Sequence, residues 1–135
     1  MAVLFSDKWM EAFAKVWNQD KDMVSALSKI QFDANIGYGF IGEPQPKGVL
    51  VIKNGLVDEA LAYRDQPLNW DLRAAPEDWQ LWVKNGFGLA KLGVSVATGR
   101  LKFVVGDYRR MVNKPAMASP FLHSFDLMAK IKTEL

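Results

Sequence analysis

The feature that most constrains the fold is a change in the spacing of apolar residues near position 31. Between residues 9 and 30 apolar side chains recur every three or four positions, which predicts helices with one buried face. Between residues 32 and 40 apolar residues alternate with small or polar ones, which predicts a strand with one buried face. The chain must therefore build helices and a sheet from separate segments.

Three further strands are predicted after the first, at residues 49–52, 56–63 and 68–72. The pair Asn54-Gly55 between two of them is a strong hairpin signal, because both central residues of a type I′ turn need positive φ. Since the connections between these strands are short, we expect the four strands to be antiparallel neighbours.

Helical segments return after the strands. Pro76 suits the first turn of a helix, and glycines at positions 86, 88 and 93 predict that the following helical segment is short and broken. Such a segment could serve as a moving cover.

The carboxyl-terminal part contains one more strand and two helices. Leu101, Phe103 and Val105 predict a strand with a buried face, Asp107 is a candidate cap of a short helix, and Ser119-Pro120 is the predicted start of the last helix. This order of elements predicts an α+β fold with helices on one face of a five-stranded, mostly antiparallel sheet. The length fits one domain over residues 1–135.

Composition excludes several classes of function. The chain has 17 Lys and Arg against 15 Asp and Glu, a balance that argues against nucleic-acid binding. The basic cluster of Arg109, Arg110 and Lys114 indicates at most a transient contact with an anionic membrane. The chain has no cysteine, and its amino terminus does not have the pattern of a signal peptide, so we expect a cytoplasmic protein.

Sequence motifs for catalysis are missing. His123 is the single histidine, and a place on the helix surface or a partly buried position suits it better than a ligand role. No metal-ligand spacing, nucleophile elbow or phosphate loop is present. We therefore expect no catalytic residue, no metal and no cofactor. Asp58 and Glu59 are adjacent on a strand and should point to opposite faces. Whether one of the two carboxylates points into the protein is left open by the sequence.

The segment Thr98–Asp107, TGRLKFVVGD, resembles the signature of the sterol carrier protein 2 (SCP-2-like) family. The order of elements along the chain is also similar to that family. The resemblance implies an apolar cavity between the helices and the sheet, and a ligand such as a fatty acid, acyl-coenzyme A, phospholipid or sterol. Because the peroxisomal signal of animal members is missing, it favours a bacterial, cytoplasmic member.

A cavity of this kind would be lined by the apolar residues of the inserted helices, the last helix and the strand that forms its floor. The predicted ligand-binding residues are Trp79, Trp82, Val83, Phe87, Leu92, Phe103, Val105, Met111, Met117, Phe121, Phe125 and Met128. The predicted function is non-catalytic binding and carriage, or sensing, of an apolar ligand. Two alternatives remain open: a small enzyme acting on an apolar substrate in the same cavity, and a homodimeric interaction module.

Overall fold

The computed structural model describes residues 2–134, apart from the side chain of Leu89. Within this range no helix is both long enough and apolar enough to cross a membrane. The helices are α1 (Asp7–Gln19), α2 (Lys21–Lys29), α3 (Pro76–Asn85), α4 (Leu89–Ala97), α5 (Tyr108–Val112) and α6 (Pro115–Met128).

Five strands form the main sheet in the order β4-β3-β2-β5-β6, and only the β2–β5 pair is parallel. The predicted five-stranded, mostly antiparallel sheet is therefore confirmed. Two-residue strands β1 and β7 pair with each other in parallel. The bounds are β1 (Ala2–Val3), β2 (Ala34–Phe40), β3 (Gly48–Lys53), β4 (Leu56–Ala62), β5 (Trp70–Ala74), β6 (Leu101–Val105) and β7 (Thr133–Glu134).

Local signals set the element boundaries at the amino-terminal end. The hydroxyl of Ser6 accepts a hydrogen bond from the Trp9 backbone N–H at 3.3 Å and caps α1, and the Asp20 carboxylate accepts one from Met23 at 3.0 Å and caps α2. These side chains satisfy backbone donors that a helix start leaves unpaired. The predicted Asn54-Gly55 hairpin is confirmed, with φ values of 51° and 84°.

The expected position of the fourth strand is wrong. This strand, β5, does not lie beside β4 but runs parallel to β2 in the middle of the sheet. Asn35 on β2 holds the returning chain, because its Nδ2 donates to Pro67 O at 2.8 Å and its backbone N–H donates to the Asn69 side chain at 2.8 Å. The 63–69 connection therefore runs from the edge strand β4 past β3 and β2 to the position between β2 and β6.

The two faces of the sheet have different covers. Side chains such as Tyr38, Leu50 and Leu72 join the hydrophobic core with the helices. On the opposite face Asp71 and Arg73 are both about 5% exposed, with Arg73 Nε 2.6 Å from Asp71 Oδ1. Arg73 also donates to the Glu43 carbonyl at 2.7 Å. This ion pair therefore fastens the 41–47 loop over the second face.

Two helix predictions need correction. The last helix begins at Pro115 rather than at Ser119-Pro120, and Pro120 lies inside it. The glycine-rich segment is also less broken than expected. Gly86, with a φ of 79°, ends α3, but α4 continues through Gly93. The reason is that a glycine in a helix interior costs only about 1 kcal/mol, which packing of α4 against β6 can offset.

Gly55→Ala should destabilise the protein more than Gly42→Ala. Both glycines have φ near 90°, so both substitutions carry the backbone cost of about 1–2 kcal/mol. Only at Gly55 would the new Cβ come within 2.8 Å of the Ser28 nitrogen, whereas nothing lies within 4 Å at Gly42. We expect an additional loss of about 1–3 kcal/mol at Gly55, measured by urea unfolding. Equal losses would contradict the close approach of the hairpin to α2.

Arg73→Met should lower the free energy of unfolding by about 3–5 kcal/mol, because it leaves the Asp71 carboxylate buried without its partner. The double variant Asp71→Leu/Arg73→Met removes both charges and should recover a large part of that loss. Urea unfolding of the two variants and the wild type measures the difference. A double variant no more stable than Arg73→Met would show that the carboxylate is not the source of the loss.

Candidate functional site

An apolar pocket lies between the sheet and the helices α1, α2 and α6. Its volume is about 20 Å³, close to the space that a single water molecule needs. The pocket is therefore nearly closed in this conformation. Its lining consists of Trp17, Met23, Leu27, Phe32, Ile36, Tyr38, Trp70, Met117, Pro120, Phe121 and Ser124.

Half-buried aromatic rings connect the pocket to the surface. Phe32 and Trp70 line the pocket and are only partly buried, with ring centroids 5.8 Å apart. Phe121 lies 5.9 Å from Trp70 and 6.0 Å from the half-buried Phe103. We call these four rings, Phe32, Trp70, Phe103 and Phe121, the rim of the pocket. Because aromatic rings contribute large apolar areas, the rim forms an apolar surface that leads from the solvent to the pocket.

The structure places two of the predicted ligand-binding residues, Met117 and Phe121, in the lining. Phe103 belongs to the rim, and Val83 lines a separate open groove of about 320 Å³ beside Leu4 and Ile131. The other inward-facing candidates are packed in the core: Trp79, Trp82, Phe87, Leu92, Met111, Phe125 and Met128.

Val105 does not face the pocket, so its expected place in the floor is wrong. A register shift in the β5–β6 pair sets Phe103 opposite Leu72 but Val105 opposite Asp71. The extra residue, Val104, turns the end of β6 over, as β-bulges do. Val105 therefore lies on the side of the sheet that carries Asp71, and it is 39% exposed.

Most of the lining was not predicted. Trp17, Met23, Leu27, Ile36 and Tyr38 belong to stripes that the sequence does show, but these stripes have the same pattern as ordinary core faces. The lining depends on α2 packing against α6, which brings residues far apart in sequence together. The one signal in the sequence was the presence of two large aromatic residues, Phe32 and Trp70, close to the starts of two strands, β2 and β5.

The wall that α6 contributes has a weak point at Pro120. Proline has no backbone N–H, so it cannot donate to the carbonyl of Ala116 one turn earlier. Met117 lies before this point, and its unbranched side chain adapts readily to irregular shapes. The start of α6 can therefore move with less loss of backbone hydrogen bonding than an uninterrupted helix.

A polar pair joins α6 to the start of α2 beside the pocket. His123 Nε2 lies 2.7 Å from Asp20 Oδ2, and the His123 side chain is 41% exposed. The prediction of a partly buried or surface histidine is thus confirmed. The hydrogen bond with His123, followed by the one from Met23, lowers the pKa of Asp20 below 3.8.

Other candidate groups for chemistry are dispersed. Asp58 and Glu59 are both exposed, because a register shift in the β3–β4 pair places Glu59 opposite Val51 but Val57 opposite Ile52. The inward carboxylate that the sequence left open is therefore not present on this strand. Within residues 2–134 no three His, Asp or Glu side chains are grouped so that they could hold a metal ion.

No protein-family model matches this chain, and no curated protein matches it in sequence. Solved structures do match its fold. The crystal structure of sterol carrier protein 2 aligns with a TM-score of 0.74 and 17% identity, over 96% of this chain and 99% of that one. A conserved hypothetical protein of Thermus thermophilus, a candidate sterol carrier protein, aligns with a TM-score of 0.70 and 14% identity, over 97% of this chain and 91% of that one.

A ubiquinone synthesis protein, UbiJ-SCP2, aligns with a TM-score of 0.58 and 12% identity, over 90% of this chain and 88% of that one. The alignments cover most of both chains in each case. They confirm that this chain has the SCP-2-like fold that its sequence resembles.

His123→Leu should remove part of the stability that Asp20 contributes above pH 3.8. Because the pKa of Asp20 is lowered in the folded state, this stability is lost as the pH falls through the folded value. The difference between wild type and His123→Leu should shrink below pH 3.8, measured by urea unfolding at several pH values. Glu11→Gln removes an exposed carboxylate that makes no ion pair among the described residues, and it should keep the wild-type acid profile. If the difference in stability between wild type and His123→Leu stayed constant with pH, the Asp20–His123 hydrogen bond would not be the cause of the lowered pKa of Asp20.

Proposed function

We propose that this protein binds an apolar ligand of the lipid class between its sheet and α6, and releases it chemically unchanged. The observation that carries the proposal is the apolar pocket with its rim of half-buried aromatic rings. Its occurrence in a fold shared with sterol carrier protein 2 supports carriage as the purpose of binding.

A ligand needs a wider pocket than the closed conformation offers. Pockets for small molecules have volumes of about 300–1,000 Å³, far above the 20 Å³ found here. The proposal therefore includes an open state in which α5 and the start of α6 move away from the sheet, with Pro120 as the hinge. Met23 on α2 and Met117 on α6 both line the pocket and can adjust to the ligand because their side chains are flexible.

Burial of apolar ligand surface can supply enough free energy for measurable binding. Burying roughly 300 Å² of apolar ligand surface at about 25 cal/mol per Å² contributes about 7 kcal/mol. Association and opening of α6 subtract from this figure, so we expect affinities in the micromolar range.

The lining restricts the chemical class of the ligand. It contains no charged side chain, and an unpaired charge is costly to bury. A fatty acid, acyl-coenzyme A or phospholipid would therefore keep its charged group at the rim. A sterol would enter whole, and a quinone with an apolar tail is a further candidate because a ubiquinone synthesis protein shares the fold.

The proposal assigns no catalytic residue, metal or cofactor. Asp20 and His123 face an open surface groove and are bonded to each other, so neither serves as an acid or base inside the pocket. Cytoplasmic location, homodimer formation and transient membrane contact stay predictions. The three cations nominated for membrane contact, Arg109, Arg110 and Lys114, are exposed.

Met117→Trp should weaken binding of the neutral dye N-phenyl-1-naphthylamine by about tenfold or more. The larger side chain fills the pocket from a half-buried position and removes ligand volume at a modest cost in stability. Dye fluorescence in a titration gives the dissociation constant.

Ala116→Trp is the matched control, because Ala116 is the preceding residue of α6 and is exposed. It adds a similar bulk outside the pocket and should leave the dissociation constant within about twofold of the wild type. Equal weakening by both variants, or dye binding that Met117→Trp does not affect, would contradict the assigned pocket. Wild-type protein that binds neither the dye nor any lipid would contradict the function.

A further inference from the structure

Tyr38 occupies a central position in the pocket wall. It lies on β2, is 2% exposed and lines the pocket. Its ring packs against Phe5 at 5.7 Å, Phe13 at 5.9 Å and Trp79 at 6.1 Å between centroids. These contacts on several sides fix the orientation of the ring.

The hydroxyl of Tyr38 makes no hydrogen bond within residues 2–134, which distinguishes it from the other buried polar groups of the lining. Trp17 Nε1 donates to the Gly55 carbonyl at 2.9 Å, and the Ser124 hydroxyl donates to the Phe121 carbonyl. Every fully enclosed side-chain nitrogen or oxygen of the described residues has a partner. The Tyr38 oxygen is therefore not fully enclosed by the described residues, and Tyr38 is one of the residues that line the pocket.

The chemistry of this hydroxyl is that of a neutral donor and acceptor. Burial raises the pKa of Tyr38, so the phenol keeps its proton at neutral pH. A buried hydroxyl without a partner costs about 1–3 kcal/mol. A ligand that supplied the missing partner would recover part of this cost.

We propose that Tyr38 is the polar anchor of the pocket and that the buried end of the ligand carries a neutral oxygen, either a hydroxyl or a carbonyl. This inference rests on the proposed function, since it assumes that an apolar ligand enters this pocket. It specifies the orientation of the ligand: the oxygen lies next to β2, and the hydrocarbon extends between α2 and α6 towards the rim.

A neutral oxygen suits the pocket better than a carboxylate does. One phenol hydrogen bond cannot replace the hydration of an ionised group, and the lining offers no cation. A pocket with one unpaired hydroxyl also disfavours pure hydrocarbon, because the hydroxyl would stay without a partner. The expected ligand class is therefore long-chain alcohols, sterols, ketones or quinones.

Tyr38→Phe tests the inference, because it removes the hydroxyl and keeps the ring. Displacement of N-phenyl-1-naphthylamine gives affinities for dodecanol and for dodecane, which differ by one oxygen. We expect the variant to bind dodecanol roughly tenfold more weakly and to bind dodecane within about twofold of the wild type. Tyr63→Phe removes a hydroxyl from a residue outside the lining and should change neither affinity.

Urea unfolding separates this effect from a loss of structure. Tyr38→Phe should be as stable as the wild type or more stable, since the removed hydroxyl has no protein partner. Equal weakening for both ligands would assign Tyr38 a role in shape alone and overturn the inference. Unchanged affinity for both would show that the hydroxyl meets only a trapped water, and it would overturn the inference while leaving the proposed function standing. Absence of binding to the wild type would instead overturn the proposed function.

Discussion

The indole of Trp79 joins the helical layer to the centre of the sheet. Its N–H donates to the Gly39 carbonyl on β2 at 2.7 Å, and its ring packs against Phe5 at 5.1 Å and Phe125 at 6.2 Å. Since β2 pairs with both β3 and β5, this single side chain ties α3, α6 and the amino-terminal segment to the middle of the sheet. Its burial is complete.

This anchor decides where a ligand pocket can form. Around Trp79 the rings of Trp82, Phe87 and Phe125 pack closely, with centroids 4.6 Å apart for Trp82 and Phe87 and 4.8 Å for Phe87 and Phe125. Interiors packed in this way resist insertion of further volume. The loosely filled space lies instead on the other side of α6, where that helix meets α2 and where Pro120 interrupts its backbone hydrogen bonds.

The charged groups are kept outside that space. Asp71 and Arg73 pair on the far face of the sheet, and Asp20 and His123 pair at the surface where α2 begins. Each pair holds a neighbouring segment in place: the 41–47 loop in the first case, α6 in the second. The pocket keeps an apolar lining, in which the phenol of Tyr38 has no hydrogen-bond partner among the described residues.

The periodicity and the turn residues determined the elements. The alternation after Phe32, the Asn54-Gly55 turn and the caps at Ser6 and Asp20 act over a few residues, so their effect can be worked out from the sequence. The resemblance around Thr98–Asp107 indicated the SCP-2-like fold, which the solved structures share. These signals predicted most helices and strands, and the class of the sheet.

Only the tertiary structure decided which elements meet. The parallel pairing of β5 with β2 depends on contacts between residues more than thirty positions apart, and the bulge that turns Val105 away leaves no mark in the alternation of β6. For the same reason the sequence nominated Trp79 and Phe125 as ligand contacts, although they are packed core. Apolar side chains look alike in a sequence whether they fill a core or line a pocket, and the difference arises from how closely two distant helices pack.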